Sequence, residues 1–388
     1  MRWGVIAGAL GVGLAAAMGA ASDARACGGC FHGPSQSPDV ITDHRMIFRV
    51  TPQQTTLYDE IEYQGNPSSF AWVLPIKGPV TVGLGADVVF SALDSATKTT
   101  IQSPNLPPCQ TCSCGDFGGT GSSSGGSSGG GLAGDAGAVT VLSQQVVGPY
   151  DSVQLQSSDP NALTDWLTTN GFTIPSDIDP IIAAYVNEGF DFLALKLQPG
   201  QGVTAMRPVR VTTPGAGLTL PLRMVSAGTG ATVGITLWVV GDGRYEAANF
   251  PNFTIQASQL VWDWNLSSST YTTLVQQQES AASDATWQTE SSLDISPYQI
   301  ESPVLSDQAS DDYLPIPASD AGAGPGDAGS SAGETADQVR QDDLATLFPG
   351  GNQGTVRITR MRADLSHAAL ATDLNLQASA DQTNVSNL

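Results

Sequence analysis

Five cysteines are the residues of this chain whose spacing could support chemistry. They fall into two clusters, Cys27-x-x-Cys30 and Cys109-x-x-Cys112-x-Cys114. Thiolates with two residues between them are typical zinc ligands, and His32 lies close enough in sequence to join the first cluster. In an oxidising compartment the same thiols form disulfide bonds instead. The choice between a metal site and disulfides therefore depends on where the protein resides.

An export signal precedes the first cluster. Arg2 is followed by an uncharged stretch over residues 3–21 and then by Ala24-Arg25-Ala26, the arrangement of a secretory signal peptide. We expect cleavage after Ala26, so that the mature chain begins at Cys27 in the periplasm, the outer envelope or the extracellular medium. A lipid anchor on Cys27 is the alternative. Cleavage without lipidation is favoured, because Ala24 stands at the third position before the cysteine, where lipoproteins usually have an aliphatic residue. Arg25 also disfavours recognition by a lipoprotein peptidase.

Export favours disulfides over zinc for the five cysteines, because thiols outside the cytoplasm are not kept reduced. An odd number of thiols leaves one to be lipidated, paired between chains or free. The sequence does not determine which cysteines pair. We therefore expect no cofactor, with zinc as the alternative.

The charge balance limits the partners. Of 388 residues, 37 are acidic and 15 are basic, which gives a formal net charge of -22. Nucleic-acid backbones and anionic lipid heads are bound through clustered Lys and Arg, so the sequence excludes nucleic acid as a partner. Beyond the signal no apolar run approaches the roughly 20 residues that span a bilayer, and we expect no transmembrane segment in the mature chain. An envelope or surface partner is compatible with this composition.

Short alternating and buried apolar runs predict an α+β fold that is mainly β, with antiparallel, sandwich-like sheets and a few short capping helices. The first three strands are expected to form an antiparallel meander at residues 46–50, 57–63 and 70–76. Helices are expected at residues 87–93, 160–170, 180–188 and 271–275. A further strand is predicted at residues 218–225.

Composition divides the chain into six segments. They are a signal peptide (1–26), the N-terminal part of the main domain (27–114), a Gly- and Ser-rich flexible insertion (115–138), the remainder of the main domain (139–300), an acidic disordered linker (301–339) and a C-terminal strand-turn-strand segment (340–388). The insertion and the linker contain too few large apolar residues to offset the entropy of ordering them.

Two tryptophans form a candidate ligand-stacking pair. Trp262 and Trp264 are two residues apart, so we expect them to lie on one face of a strand, where they could stack on a ligand. The other tryptophans of the mature chain lie in strand or helix patterns that predict core packing. The three histidines, His32, His44 and His367, are in polar surroundings where we expect exposure, and their scarcity disfavours a histidine-dependent hydrolase. No carboxylate pair stands out, so no catalytic residue is assigned.

Several stretches of the chain resemble one protein family. They are Ala26-Cys27-Gly28-Gly29, residues 70–76, 147–151, 163–175 and 238–244, and residues 359–363 and 372–374 near the C-terminus. These stretches are similar to exported bacterial proteins, frequent in myxobacteria and actinobacteria, that are known only as a domain of unknown function. The resemblance covers most of residues 27–287 and implies no activity, cofactor or site residue.

Three classes of function fit these observations. The sequence favours an exported cell-envelope or secreted protein that binds or scaffolds without catalysis, because export and acidity suit that role and no catalytic constellation is present. The first alternative is a zinc-binding module built on the two cysteine clusters. The second alternative is an exported enzyme that acts through carboxylates.

We predict that Cys30 and at least two of Cys109, Cys112 and Cys114 are oxidised in the native protein. A bridge from Cys30 to the second cluster would close a loop of about 80 residues, which stabilises the fold by roughly 4 to 5 kcal/mol in the chain-entropy model. The measurement is thiol counting on unfolded, unreduced protein. Four or five free thiols together with stoichiometric zinc would overturn this assignment in favour of the metal site.

Overall fold

A computed structural model describes residues 30–31, 41–61, 71–104, 141–156, 160–174, 176–198, 206–227, 229–307, 335–351 and 354–387. Its strands are β1 (Cys30–Phe31), β2 (Ile41–Val50), β3 (Gln54–Ile61), β4 (Ala71–Ile76), β5 (Thr81–Leu84), β6 (Val141–Val147), β7 (Tyr150–Leu155), β8 (Asp191–Leu197), β9 (Val209–Pro214), β10 (Thr219–Leu220), β11 (Thr229–Gly241), β12 (Tyr245–Ala247), β13 (Asn252–Phe253), β14 (Trp262–Asp263), β15 (Ser268–Ser269), β16 (Trp287–Ile295), β17 (Val356–Ser366) and β18 (Leu374–Ala378). Its helices are α1 (Asp87–Thr97), α2 (Pro160–Thr169), α3 (Asp179–Asn187), α4 (Tyr271–Ala281), α5 (Pro297–Ser306) and α6 (Ala336–Leu347). Strands predominate, which confirms the mainly β fold class predicted from the sequence.

Two large sheets dominate the described part of the chain. One has eight strands in the order β13-β16-β17-β11-β2-β3-β9-β5, and the other has five strands in the order β1-β4-β8-β7-β6. A three-stranded sheet has the order β10-β18-β12, and β14 and β15 form a separate hairpin. Neighbouring strands are antiparallel except in the pairs β2 with β11 and β13 with β16. The predicted antiparallel arrangement therefore holds with two parallel exceptions.

The central strands of the five-stranded sheet are buried on both faces. Along β4, Trp72 and Leu74 pack into the core shared with the eight-stranded sheet, whereas Ala71 and Val73 pack in the core that includes α2 and α3. Successive side chains of a strand point to opposite faces, so this alternation places the sheet between two layers. A strand covered on both faces has a continuous apolar run, as β4 does.

The eight-stranded sheet is also covered on both faces. Met46 of β2 lines a small gap together with Trp72 of the five-stranded sheet. Ile47, on the opposite face of β2, is the register partner of Trp238 on β11, and the Trp238 ring contacts Phe90 of α1 at a centroid distance of 6.1 Å. The layers are therefore helix, sheet, sheet and helix, which confirms the predicted sandwich with capping helices.

Local sequence sets the ends of the short helices. α3 has Pro180 in its first turn, where proline lacks only an N–H that the helix would not use. The chain leaves α3 through Gly189 and α2 through Gly171, whose φ angles of +77° and +86° are favourable for glycine. α1 buries Phe90 and Leu93 on one face and continues to Thr97, one turn beyond the predicted range.

After the end of α6, the strands of the C-terminal segment join two different sheets. β17 is placed between β11 and β16 and is antiparallel to both, with Arg360 opposite Trp238 on one side and Thr359 opposite Ser292 on the other. β18 joins β10 to β12 in the three-stranded sheet. Residues 340–388 therefore do not form a separate unit but complete the sheets of the main domain.

Two strand predictions were wrong. The third strand of the predicted meander, β4, lies in the five-stranded sheet between β1 and β8, and not beside β3. The strand predicted at residues 218–225 ends at Leu220, and a 3-10 helix follows at Arg223–Ser226. Pro221 explains this ending, because proline has no N–H to donate to a neighbouring strand.

The predicted acidic linker is helical at both of its described ends. α5 extends to Ser306 and α6 begins at Ala336, so the prediction of disorder over residues 301–339 was wrong there. Ser296 and Thr335 each begin their helix with a capping box, in which the side chains of the cap residue and of a glutamine satisfy backbone N–H groups. Residues 308–334 and the predicted insertion at 115–138 lie outside the described residues.

We predict that a chain truncated after Asp307 loses cooperative unfolding. The truncation removes β17 from the middle of the eight-stranded sheet, so β11 and β16 lose their shared partner. Thermal unfolding followed by circular dichroism is the measurement. Deletion of Ser122 to Gly131 is the control, because the Gly- and Ser-rich composition predicts a change in melting midpoint of less than about 5 °C. A truncated chain that melts cooperatively would contradict the prediction.

Candidate functional site

A pocket lies between the two large sheets. Its volume is about 550 Å³, and it is lined by β2, β3 and β9 of the eight-stranded sheet and by β4 of the five-stranded sheet. Residues of β10 and β18 complete the lining. The volume is within the range of about 300–1,000 Å³ that is typical of small-molecule sites. We call this cavity the inter-sheet pocket.

Large apolar side chains from both sheets form part of the walls of the inter-sheet pocket. Phe48, Leu57 and Val211 lie side by side, because Phe48 is the register partner of Leu57 and Leu57 is the register partner of Val211. Leu74 and Ile76 line the pocket from β4 of the other sheet. They are two residues apart on one strand, so they share a face. These walls offer an apolar surface that a ligand could cover.

Four charged residues also line the pocket, and each lies at the end of a regular element. Lys77 follows β4, Glu188 follows α3, Arg223 begins the 3-10 helix and Asp373 precedes β18. The ends of four elements that are far apart in sequence thus bring two cations and two carboxylates to one cavity.

Arg223 binds both carboxylates. Its Nη1 and Nη2 atoms lie 2.7 and 2.6 Å from the two Oε atoms of Glu188. Its Nε and Nη2 atoms lie 3.0 and 2.7 Å from Oδ2 of Asp373. The backbone N–H of Arg223 donates a further hydrogen bond of 3.0 Å to Oδ1 of Asp373. A guanidinium has five N–H donors in a fixed plane, so this arrangement holds α3, the 3-10 helix and the start of β18 in one geometry. We call these three side chains the Arg223 clip.

Tyr185 of α3 supports the Arg223 clip from the buried side. Its hydroxyl donates a 2.6 Å hydrogen bond to Oδ1 of Asp373, and its ring lies 4.1 Å from Cζ of Arg223. Burial raises the pKa of Tyr185 well above its usual value, and the Asp373 carboxylate raises it further. The hydroxyl therefore remains a donor at neutral pH.

The Arg223 clip also keeps the Glu188 carboxylate and the Arg223 guanidinium charged. Hydrogen bonds from Arg223 lower the pKa of Glu188, so this carboxylate is ionised at neutral pH. The hydrogen bond to Glu188 is the main cause that raises the pKa of Arg223. A carboxylate that is ionised and already paired is a poor general acid, which favours a positioning role for Glu188.

Lys77 differs from the other three charges. Its ammonium nitrogen lies 4.4 Å from the centroid of the Phe190 ring. The antiparallel pairing of β4 with β8 places Ile76 opposite Asp191. Lys77, which follows Ile76, is therefore brought to Phe190, which precedes Asp191. Among the described residues, no carboxylate is in ion-pair contact with Lys77. Lys77 is exposed and its positive charge is available to a ligand.

The cysteine predictions remain predictions. Cys30 forms β1 with Phe31, and its register partner is Trp72 at the edge of the five-stranded sheet. The other candidate ligands lie outside the described residues: Cys27, Cys109, Cys112, Cys114 and His32. Within the described ranges, no group of three or more His, Cys, Asp or Glu residues is arranged to hold a metal ion. The structure thus leaves both the disulfides and zinc to experiment.

The two candidate stacking tryptophans contact each other away from the pocket. The ring centroids of Trp262 and Trp264 are 6.2 Å apart, and their planes meet at 70°. Of the two tryptophans, only Trp262 lies in β14. Trp264 follows in the hairpin connection, where it is 53% exposed. Rings in this edge-to-face arrangement do not offer one flat platform. A role for this pair in ligand stacking remains a prediction.

One histidine prediction was wrong. His367 is exposed as expected, but His44 is completely buried. Its Nδ1 atom lies 3.1 Å from Oδ1 of Asp59, which is also buried. The polar neighbours Asp43 and Arg45 suggested exposure, but alternation along β2 places His44 on the buried face with Met46.

The sequence did not indicate the Arg223 clip. Arg223 was included in a predicted strand, and an isolated arginine within the apolar run of residues 220–225 was the signal that could have been used. Lys77 comes directly after a predicted strand, Glu188 is the last residue of a predicted helix, and neither belongs to a recognisable motif. Asp373 falls in one of the family-like stretches, but that resemblance implied no role for it.

Comparisons with known proteins give a family and no activity. A family model described as "Uncharacterized protein conserved in bacteria (DUF2330)" matches residues 21–305. No curated protein and no solved structure is significantly similar to the chain. None of the described helices is long and apolar enough to cross a membrane.

We predict that Arg223→Leu lowers the free energy of unfolding by about 1 to 3 kcal/mol, because it leaves the Asp373 carboxylate, which is only 11% exposed, without its cation. The hydrogen bonds from Arg223 lower the pKa of Glu188 in the folded state, so the contribution of the Arg223–Glu188 pair is present above the unfolded pKa and is lost as the pH falls through the folded pKa. The difference between wild type and variant in urea unfolding should therefore be larger at about pH 7 than at about pH 3.

Arg357→Leu is the matched control for this prediction. Arg357 also forms a two-point ion pair, but with a single carboxylate, Asp294, that is 47% exposed. We expect a loss of about 1 kcal/mol or less for this variant, since exposed ion pairs contribute little. Equal losses for the two variants would contradict the structural role of the Arg223 clip.

Proposed function

This chain belongs to the DUF2330 family of uncharacterized conserved bacterial proteins, and we propose that it is an exported, non-enzymatic protein that binds a small molecule in the inter-sheet pocket. The observation that carries the proposal is the pocket itself, a cavity of about 550 Å³ lined by large apolar side chains together with polar and charged groups. Pockets of this volume and lining are the usual form of small-molecule sites. The signal-peptide pattern at residues 1–26 supports export to the envelope or the medium.

Binding is better supported than carboxylate catalysis. Catalytic acids and bases require a pKa near the working pH, and burial raises the pKa of Asp343 and of Glu279 to about 7. Neither residue lines the inter-sheet pocket. Asp343 is completely buried, where it accepts hydrogen bonds from the Ala86 backbone and from Arg210. Its contacts connect α6 to the loop before α1, which is a structural role.

The charged groups of the pocket also suit binding. Arg223 pairs with Glu188 and Asp373, so these side chains are fixed before any ligand arrives. A site whose polar groups are already held by the protein loses little conformational entropy on binding. The zinc-binding alternative depends on the cysteine clusters, and thiol counting decides it independently of the pocket.

We predict that the uncharged apolar fluorophore N-phenyl-1-naphthylamine binds the wild-type protein at one saturable site, and that Thr213→Trp weakens this binding at least about tenfold, or about 1.4 kcal/mol. Thr213 and Val211 lie on the same face of β9 and both line the pocket, so a tryptophan at position 213 would occupy its space. Fluorescence titration is the measurement.

Thr273→Trp is the matched control, because Thr273 is exposed on α4 and does not line the pocket. We expect this variant to bind the fluorophore as the wild type does. Melting curves of both variants establish that they are folded. The absence of saturable binding to the wild type, or equal binding to the folded Thr213→Trp variant, would overturn the proposed function.

A further inference from the structure

We infer that the ligand of the inter-sheet pocket is an amphipathic molecule with an apolar chain and one negatively charged head group, and that Lys77 binds the head group. This inference rests on the proposed function, because it assumes that the pocket is a binding site. It adds the chemical class of the ligand and the residue that selects it.

The apolar part of the ligand follows from the walls of the pocket. Phe48, Leu57 and Val211 belong to one sheet, and Leu74 and Ile76 belong to the other. A chain inserted between them would be in contact with hydrocarbon on two sides. Burial of apolar surface contributes about 25 cal/mol per Å² removed from water, so such walls favour an unbranched or ring hydrocarbon over a polar metabolite.

The negative charge of the head group follows from Lys77. The ammonium group has three donors, and its described neighbour is the face of the Phe190 ring, which accepts no strong hydrogen bond. Lys77 therefore has a positive charge and unused donors at the pocket. An anionic oxygen is the complementary partner, because hydrogen bonds between ionised groups are stronger than those between neutral groups.

The two carboxylates of the pocket are less available to a cation than Lys77 is to an anion. Glu188 and Asp373 would attract a cationic head group, but both are already paired with Arg223. A cationic ligand would have to compete with a guanidinium that binds each carboxylate through two N–H groups. It would also meet the repulsion of Lys77. The arrangement therefore favours an anion over a cation.

The same carboxylates limit the charge of the anion to one. Glu188 and Lys77 line the same pocket, and the pKa of the Glu188 carboxyl group, lowered mainly by its hydrogen bonds with Arg223, is lowered further by the Lys77 ammonium. A head group with two negative charges would be repelled by Glu188 and would have only Lys77 to neutralise it. A carboxylate satisfies this limit, whereas a phosphate monoester carries between one and two charges at neutral pH.

The test compares four molecules with the same chain and different heads: dodecanoate, dodecyl phosphate, dodecanol and dodecylamine. Binding to the full mature protein is measured by calorimetry at about pH 8, where a carboxylic acid is fully ionised, and below the concentration at which each molecule forms micelles. We expect dodecanoate to bind about tenfold more tightly than dodecanol and more tightly than dodecyl phosphate, with dodecylamine the weakest.

Lys77→Gln tests the residue assignment. We expect this variant to bind dodecanoate about five- to tenfold more weakly and dodecanol unchanged. Lys98→Gln is the matched control, because Lys98 is an exposed lysine that does not line the pocket, and its binding should equal that of the wild type. Both lysines are exposed, so neither substitution should lower the melting midpoint.

The outcomes distinguish this inference from the proposed function. Equal affinity of dodecanoate and dodecanol, or unchanged dodecanoate binding by Lys77→Gln, overturns the inference and leaves small-molecule binding intact. Tighter binding of dodecylamine or dodecyl phosphate also overturns it. Failure of all four molecules, together with failure of N-phenyl-1-naphthylamine, overturns the proposed function and the inference together.

Discussion

Trp238 lies between two guanidinium groups at the centre of the eight-stranded sheet, and the layered structure depends on this arrangement. Its ring centroid is 5.5 Å from Cζ of Arg45 and 5.0 Å from Cζ of Arg360, and its indole N–H donates a 2.8 Å hydrogen bond to Thr97 of α1. Arg360 also binds Asp94 of α1. Because buried cations are costly without partners, these contacts fix α1 to β2, β11 and β17 in one position.

This constraint links strands from distant parts of the described chain. Arg45, Trp238 and Arg360 come from strands that are far apart in sequence and adjacent in the sheet. Fixing α1 on one face leaves the other face of the sheet free to pack against the five-stranded sheet. The inter-sheet pocket forms on that second face, between Phe48 and Leu57 on one side and β4 on the other.

Sequence patterns predicted the elements better than their assembly. The apolar run of β4 was sufficient to predict a buried strand, and the glycines at positions 171 and 189 were sufficient to predict the ends of α2 and α3. Burial and backbone conformation act locally there. The sheet to which β4 belongs was not predicted, since the pairing of strands depends on contacts across the chain. For the same reason His44 appeared exposed, although its partner Asp59 on the neighbouring strand stabilises it in the core.

The candidate site was not predictable, because its residues become a group only in three dimensions. Lys77 is brought to Phe190 by the register of β4 and β8, and no motif records that register. Arg223 functions as a clip because a proline ends β10 and turns the chain into a 3-10 helix. Its charge was visible in the sequence, but its two partners were not.

The boundaries of the family match add a last constraint on the site. Lys77, Glu188 and Arg223 lie within the matched residues 21–305, whereas Asp373 lies beyond them. Arg223 therefore obtains one of its two carboxylates from the same C-terminal region that places β17 in the sheet. Without Asp373, Arg223 would have donors available to an anion, and Lys77 would no longer be the distinguishing charge of the pocket. The C-terminal region thus completes the fold and also determines which cation is left for a ligand.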